Sequence, residues 1–142
     1  MSKILFIVFS IVSCSLFGQE NLGWKKLIST QYEIISEGVN QGLYKPKFTQ
    51  ELKNFENQEV IISGYLVPMD VKNDTYALSM SPFSSCFFCG NAGPNTVVEL
   101  QFTKKQSKFL VDQFVIIKGV LILNRFNPQY LFFKLENAQI HG

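Results

Sequence analysis

From Glu59 onward, apolar and polar residues alternate with the period of a pleated strand. The stretch "EVIISGYLV" sets Val60, Ile62, Gly64 and Leu66 on one face and Ile61, Ser63, Tyr65 and Val67 on the other, and predicts a strand ending at Pro68. Runs rich in β-branched and aromatic residues at 75–80, 95–102, 113–123 and 129–140 predict four more strands, separated by segments rich in Asp, Asn, Pro and Ser. Between the third and fourth, "KKQSKFLVD" is polar and long enough for a turn of helix with Phe109 and Leu110 packed inward.

Upstream the pattern changes. Trp24, Leu27, Ile28 and Ile34 have spacings compatible with one helical face, although the residues to Ile35 equally suit an extended segment. Gly38, Gly42 and Pro46 mark a loop. "KFTQELKNFENQ" then carries Phe48, Leu52 and Phe55 at i, i+4 and i+7, with Asn57 as a stop, which predicts a short amphipathic helix.

Two of the strands echo each other. "QEVIISGYLV" from Gln58 aligns with "QFVIIKGVLI" from Gln113, matching Val60 with Val115, Ile61 with Ile116, Ile62 with Ile117, Gly64 with Gly119 and Leu66 with Leu121. A glycine midway along a long strand marks sharp coiling or a bulge. Long coiled strands, with a helix between the third and fourth, predict a mainly β fold: a five-stranded OB-like Greek-key barrel with short helices. A sandwich of the same strands is the alternative. Residues 58–142 form the barrel in this reading, and 19–57 a helical or irregular lead-in packed on it.

The first residues put Lys3 before the apolar run "ILFIVFSIVS", too short for a permanent bilayer span, with small residues near Gly18. Residues 1–18 therefore form an N-terminal signal segment, cleaved to leave Gln19 as the mature end. The rival route is a lipoprotein box over Ile11, Val12, Ser13 and Cys14, with acylated Cys14 as the membrane anchor. The chain is expected to be periplasmic or secreted, or membrane-anchored if Cys14 is acylated. The full chain has 142 residues, 46% hydrophobic and 17% charged, which fits one globular domain once the leader is removed. Loss of Lys3 lowers the formal charge from +2 to +1. So small an excess argues against nucleic acid, although Arg125, Phe126, Tyr130, Phe132, Phe133 and Lys134 imitate a base-stacking platform.

The distinctive chemistry lies in "SSCFFCGNAGPNTVVEL", residues 84–100, where Cys86 and Cys89 are the thiols able to act together in a compartment that permits disulfides. Gly90, Gly93 and Pro94 argue against the helix that would activate a thioredoxin-like pair, and Gly90 stands where haem attachment needs histidine. A two-residue spacer suits half of a tetrahedral zinc site, which His141 and a carboxylate, or a second chain, would have to complete. The plainer outcome is a local Cys86–Cys89 disulfide, worth about 2 kcal/mol by loop entropy. Phe87, Phe88, Asn91 and Pro94 make this loop the expected binding surface, unless the two phenylalanines fold back to cap the barrel.

Trp24 and Leu27, the run Gly64-Tyr65-Leu66-Val67-Pro68, the loop from Cys86 to Pro94 and the strand from Val97 to Leu100 together resemble a family of small exported bacterial OB-like domains of unknown function. The resemblance spans most of the chain after the leader on short motifs. It implies an exported OB-like barrel and no activity. That family's pattern carries a histidine between the two cysteines and prolines after them, whereas this chain has Phe87 and Phe88, then Gly90-Asn91-Ala92-Gly93-Pro94, so a metal role for such a histidine does not carry over.

With one histidine near the terminus, no phosphate loop and no nucleophile elbow, the sequence points away from catalysis. It predicts a non-catalytic binding or accessory module of the bacterial envelope, without a cofactor, whose partner is an envelope protein or small ligand. The alternative is an envelope thiol-redox or metal-binding protein, taking zinc or copper at Cys86 and Cys89.

Overall fold

The computed structural model describes residues 18, 20–70, 73, 75–83, 92–106, 109, 111–125 and 127–141. In chain order the elements are β1 (Glu20–Asn21), α1 (Trp24–Ile28), β2 (Gln31–Ile34), β3 (Tyr44–Lys47), α2 (Gln50–Lys53), β4 (Glu59–Asp70), β5 (Thr75–Ser79), a 3-10 turn (Pro94–Thr96), β6 (Val97–Phe102), β7 (Phe114–Leu123) and β8 (Phe133–Ile140). No helix among the described residues is long and apolar enough to cross a membrane.

Strands β4, β5, β6, β8 and β7 are hydrogen-bonded in that order, and β7 closes back on β4, making a five-stranded barrel. The pair β6–β8 is parallel; the other four contacts around the barrel are antiparallel. Alternation puts Val60, Ile62, Leu66, Leu78, Leu100, Ile117, Leu121 and Leu135 inside, each at most 2% exposed.

The sequence echo has a structural meaning. In the β4–β7 ladder Ile62 faces Ile117, Val60 faces Gly119 and Gly64 faces Val115, so equivalent residues exchange places about a local two-fold centred on the isoleucine pair. Each glycine thus sits opposite a valine and lets a third strand cross closely. A Cβ on Gly64 would lie 2.6 Å from the Ser79 carbonyl oxygen, and one on Gly119 would lie 3.0 Å from that of Glu136. Here β4 changes partner, from β7 along its first half to β5 from Tyr65 onward.

Three sequence expectations need correction. The first strand runs through Pro68 to Asp70. Leu66 bonds toward the β7 side, to Gln113 and Asp112, so Pro68, two residues on, turns its missing donor to the same side, beyond where β7 begins. The described residues of 104–112 form no helix, Asp112 being in a turn at φ 62, although Phe109 does pack inward on Tyr76 and Phe102. Pro46, expected in a loop, lies in β3 opposite Tyr32.

The lead-in closes the barrel with individual side chains. Leu22, Leu27, Leu52 and Phe55 join the core, and the Trp24 indole N–H donates to the Ser63 carbonyl at 2.7 Å. Thr49 caps α2 by accepting from the Leu52 N–H at 3.2 Å.

Candidate functional site

Cys86, Cys89, Phe87, Phe88 and Asn91, like Cys14 and the rest of residues 1–17, lie outside the described residues; Pro94 opens the 3-10 turn before β6. The flanks of the cysteine segment are held at several points. The Met80 N–H donates to the Thr96 carbonyl at 3.1 Å, and the Phe83 N–H donates to the Asp112 carboxylate. On the return side the Thr96 hydroxyl donates to the Gly93 carbonyl at 2.7 Å, while the Asn95 amide donates to the Ile28 and Thr30 carbonyls at 2.9 and 3.2 Å. A Cβ on Gly93 would meet the Tyr32 hydroxyl at 2.8 Å and the Asn95 side-chain oxygen at 2.9 Å, so the loop's return passes close beneath these two side chains.

His141, near the terminus, is tied in through its backbone, whose N–H donates to the Ile116 carbonyl at 2.8 Å. Among the described residues no group of three or more His, Cys, Asp or Glu side chains could hold a metal ion.

Beyond Tyr32 lies a site that sequence reasoning missed. The Tyr32 ring touches Tyr44 edge-on at 5.2 Å and Phe132 at 5.8 Å. Tyr44 and Phe132 line a crevice of about 230 Å³ between the β2–β3 hairpin and the β7–β8 connection. Lys45 and Arg125 also line it, with the amides of Asn40, Asn124 and Asn127. The connection is shaped by Asn124, whose amide donates to the Asn127 and Leu131 carbonyls at 2.6 and 3.1 Å and whose carbonyl accepts from the Asn127 N–H at 3.1 Å.

Arg125 is held by Glu56 through a two-pronged ion pair, one arm at 2.6 Å, and lies 5.7 Å from the Phe48 ring centroid. Hydrogen bonding to Arg125 lowers the Glu56 pKa from its ordinary value, against desolvation that would raise it. Glu33 is lowered in the same way, first by its hydrogen bond to Lys47, which lies at 2.6 Å. A second depression, of about 410 Å³, lies on the other side of Arg125 beside Glu99, Lys134 and Glu136. Its charges answer one another, with Lys134 paired to Glu136 at 3.2 Å.

No family model matches the sequence, and no curated protein matches it. Among solved structures, the fold is similar to that of a DUF3299 family protein from Pseudomonas aeruginosa PAO1, with a TM-score of 0.58 at 12% identity, over 88% of this chain and 97% of that one. The likeness is one of fold and is consistent with a domain of unknown function.

Proposed function

We propose that this chain is an exported, non-catalytic binding or accessory module of the bacterial cell envelope, built on an OB-type Greek-key barrel. The barrel type is inferred from the strand order β4, β5, β6, β8, β7 and the parallel β6–β8 pair. Export is inferred from Lys3, the apolar run after it and the small residues near Gly18. The observation that carries binding is the crevice between hairpin and loop, where cations, amides and aromatic walls converge next to the fixed return flank of the cysteine segment.

Expression of the full chain in a bacterium tests export. Recovery from the periplasmic or envelope fraction with an intact mass beginning at Gln19 is the expected result. A lipid adduct on Cys14 would make this an anchored lipoprotein, and an uncleaved cytosolic chain would overturn export.

Cys86 and Cys89 form a local disulfide in this proposal, and the same preparation tests it. Purified without chelator, the protein should hold less than stoichiometric zinc and no free thiol at these positions. One metal per chain, or one per two chains, with both thiols reduced would favour the rival metal-binding function, with His141 and a carboxylate, or a second chain, completing the site.

A further inference from the structure

We infer that the crevice takes a short extended peptide segment, which adds along the outer edge of β3 and lays an aliphatic side chain beside Tyr44. The inference rests on the binding-module reading and names the class of its partner. Tyr44, Lys45 and Pro46 all line the crevice. Successive side chains of a strand point to opposite faces, so an opening on one face would meet Tyr44 and Pro46 without Lys45. Three consecutive residues meet it along the strand's edge. The register fixes what that edge presents. The Ile35 N–H donates to the Leu43 carbonyl at 2.9 Å, and bonded pairs alternate from there, so Glu33–Lys45 and Gln31–Lys47 carry the hydrogen bonds of the hairpin. The pairs Ile34–Tyr44 and Tyr32–Pro46 turn their backbone groups outward, as suits a proline with no N–H to give. The Tyr44 N–H and the Tyr44 and Pro46 carbonyls have no partner among the described residues.

An extended backbone supplies the complementary acceptor and donors at the spacing of a strand. One donor and two acceptors admit only a short segment: Pro46 removes the next donor, and Lys45 and Lys47 on either side of it oppose the growth of a longer sheet. Asn40 and Asn127 also line the crevice. Asn127 spends its side-chain oxygen on the Gln129 N–H, which leaves its amide N–H groups to donate to a carbonyl of the bound segment. Tyr44 is 42% exposed, and a residue paired across from it stands in side-chain contact, where an aliphatic or β-branched group packs well on an aromatic one. The volume, about 230 Å³, falls below the roughly 300 Å³ at which drug-sized sites begin, which again restricts the segment to a few residues.

NMR titration of the mature-length chain with acetyl-Ser-Val-Ser-amide tests this, alongside acetyl-Ser-Ser-Ser-amide and the valine peptide N-methylated at each residue in turn. Saturable binding of the valine peptide is expected, with the largest shift at the Tyr44 amide and slowed hydrogen exchange there. The serine peptide should bind more weakly. At least one N-methyl analogue should bind about tenfold more weakly, the equivalent of one hydrogen bond, because a methyl replaces the donor to a β3 carbonyl. Equal binding of all the N-methyl analogues, equal binding of the serine peptide, an unaltered Tyr44 amide, or no saturable binding would overturn the assignment. Each of those results leaves the export, processing and disulfide outcomes untouched, so failure of the peptide class is distinguishable from failure of the module reading.

Discussion

The barrel and its lead-in are stabilised in different ways. In β4 and β7 alternate residues face a common interior, and the core positions of both strands, from Val60 to Leu66 and from Val115 to Leu123, are buried. All four residues of β2 and three of the four in β3 are exposed, and the lead-in is attached at separate points: the two-residue β1 ladder on β4, four apolar side chains, the Trp24 and Asn95 hydrogen bonds, the Glu56–Arg125 ion pair and the Tyr32 and Phe48 rings. Area burial is spread over many residues and is insensitive to any one polar contact. Directional anchoring concentrates the free energy in a few groups and leaves the rest of the segment available to a ligand. The crevice forms where the two regimes meet.

The largest effect is expected inside the barrel. Gly64→Ala places a methyl 2.6 Å from a backbone oxygen and 2.9 Å from the Leu78 Cγ, and a backbone oxygen in a paired strand has little room to retreat. A loss of about 3 kcal/mol is expected, at the upper end for overpacking. Gly119→Ala, whose methyl would stand 3.0 Å from the Glu136 oxygen, should cost less, about 1 kcal/mol. Urea denaturation of both variants checks the order. A reversed order, or two unchanged midpoints, would mean that the close crossings of β5 and β8 do not set the coiling.

The barrel was legible in the sequence because alternation is its cause. The five predicted strands match β4 to β8 to within a few residues, and the repeated glycine marked the two strands that pair about a local two-fold. What was missed follows different physics. The β2–β3 hairpin has no buried face to impose period two, and "YKPK" resembles a loop because its pairing owes nothing to core burial. The run between Trp24 and Ile34, where helical and extended readings competed, contains both in succession, with the break at Ser29–Thr30. The last strand begins at Phe133 rather than at residue 129 because Asn124 draws the preceding carbonyls into a loop, a side-chain effect outside any periodicity. The crevice was illegible for the simplest reason: Tyr44 and Lys45 meet Arg125 and Phe132 only through the tertiary fold. The cysteine segment, which dominated the sequence reading, is bounded by the structure on both flanks and lies outside the described residues at its centre.

An intermediate effect tests the anchoring half of the comparison. Trp24→Phe keeps an aromatic ring beside Gly64 and removes the donor to the Ser63 carbonyl. The expected cost is about 1.5 kcal/mol, combining one lost hydrogen bond with a smaller ring. Amide hydrogen exchange should locate the change in residues 20–35 while β6 and β8 keep their protection. Uniform loss of protection throughout the barrel would show that lead-in and barrel open as one unit, which breaks the distinction between them.

The smallest effect concerns the ion pair that joins the lead-in to the β7–β8 connection. Glu56→Gln removes the carboxylate that holds Arg125 and should cost about 1 kcal/mol at neutral pH, the upper end for a partly exposed pair with two-pronged geometry. The pH dependence gives its signature. Because Arg125 lowers the folded-state pKa of Glu56 below its unfolded value, the pair contributes in full above the unfolded value, and the contribution is lost as the pH falls through the lowered folded one. The difference in stability between wild type and Glu56→Gln should therefore be constant near neutrality and shrink as the pH falls below about 4. Glu33→Gln supplies a control on the hairpin itself: its pair with Lys47 is solvent-exposed and joins β2 to β3 rather than lead-in to barrel. It should leave global stability almost unchanged. A Glu56→Gln variant as stable as wild type at every pH would mean that the ion pair plays no part in fastening the lead-in.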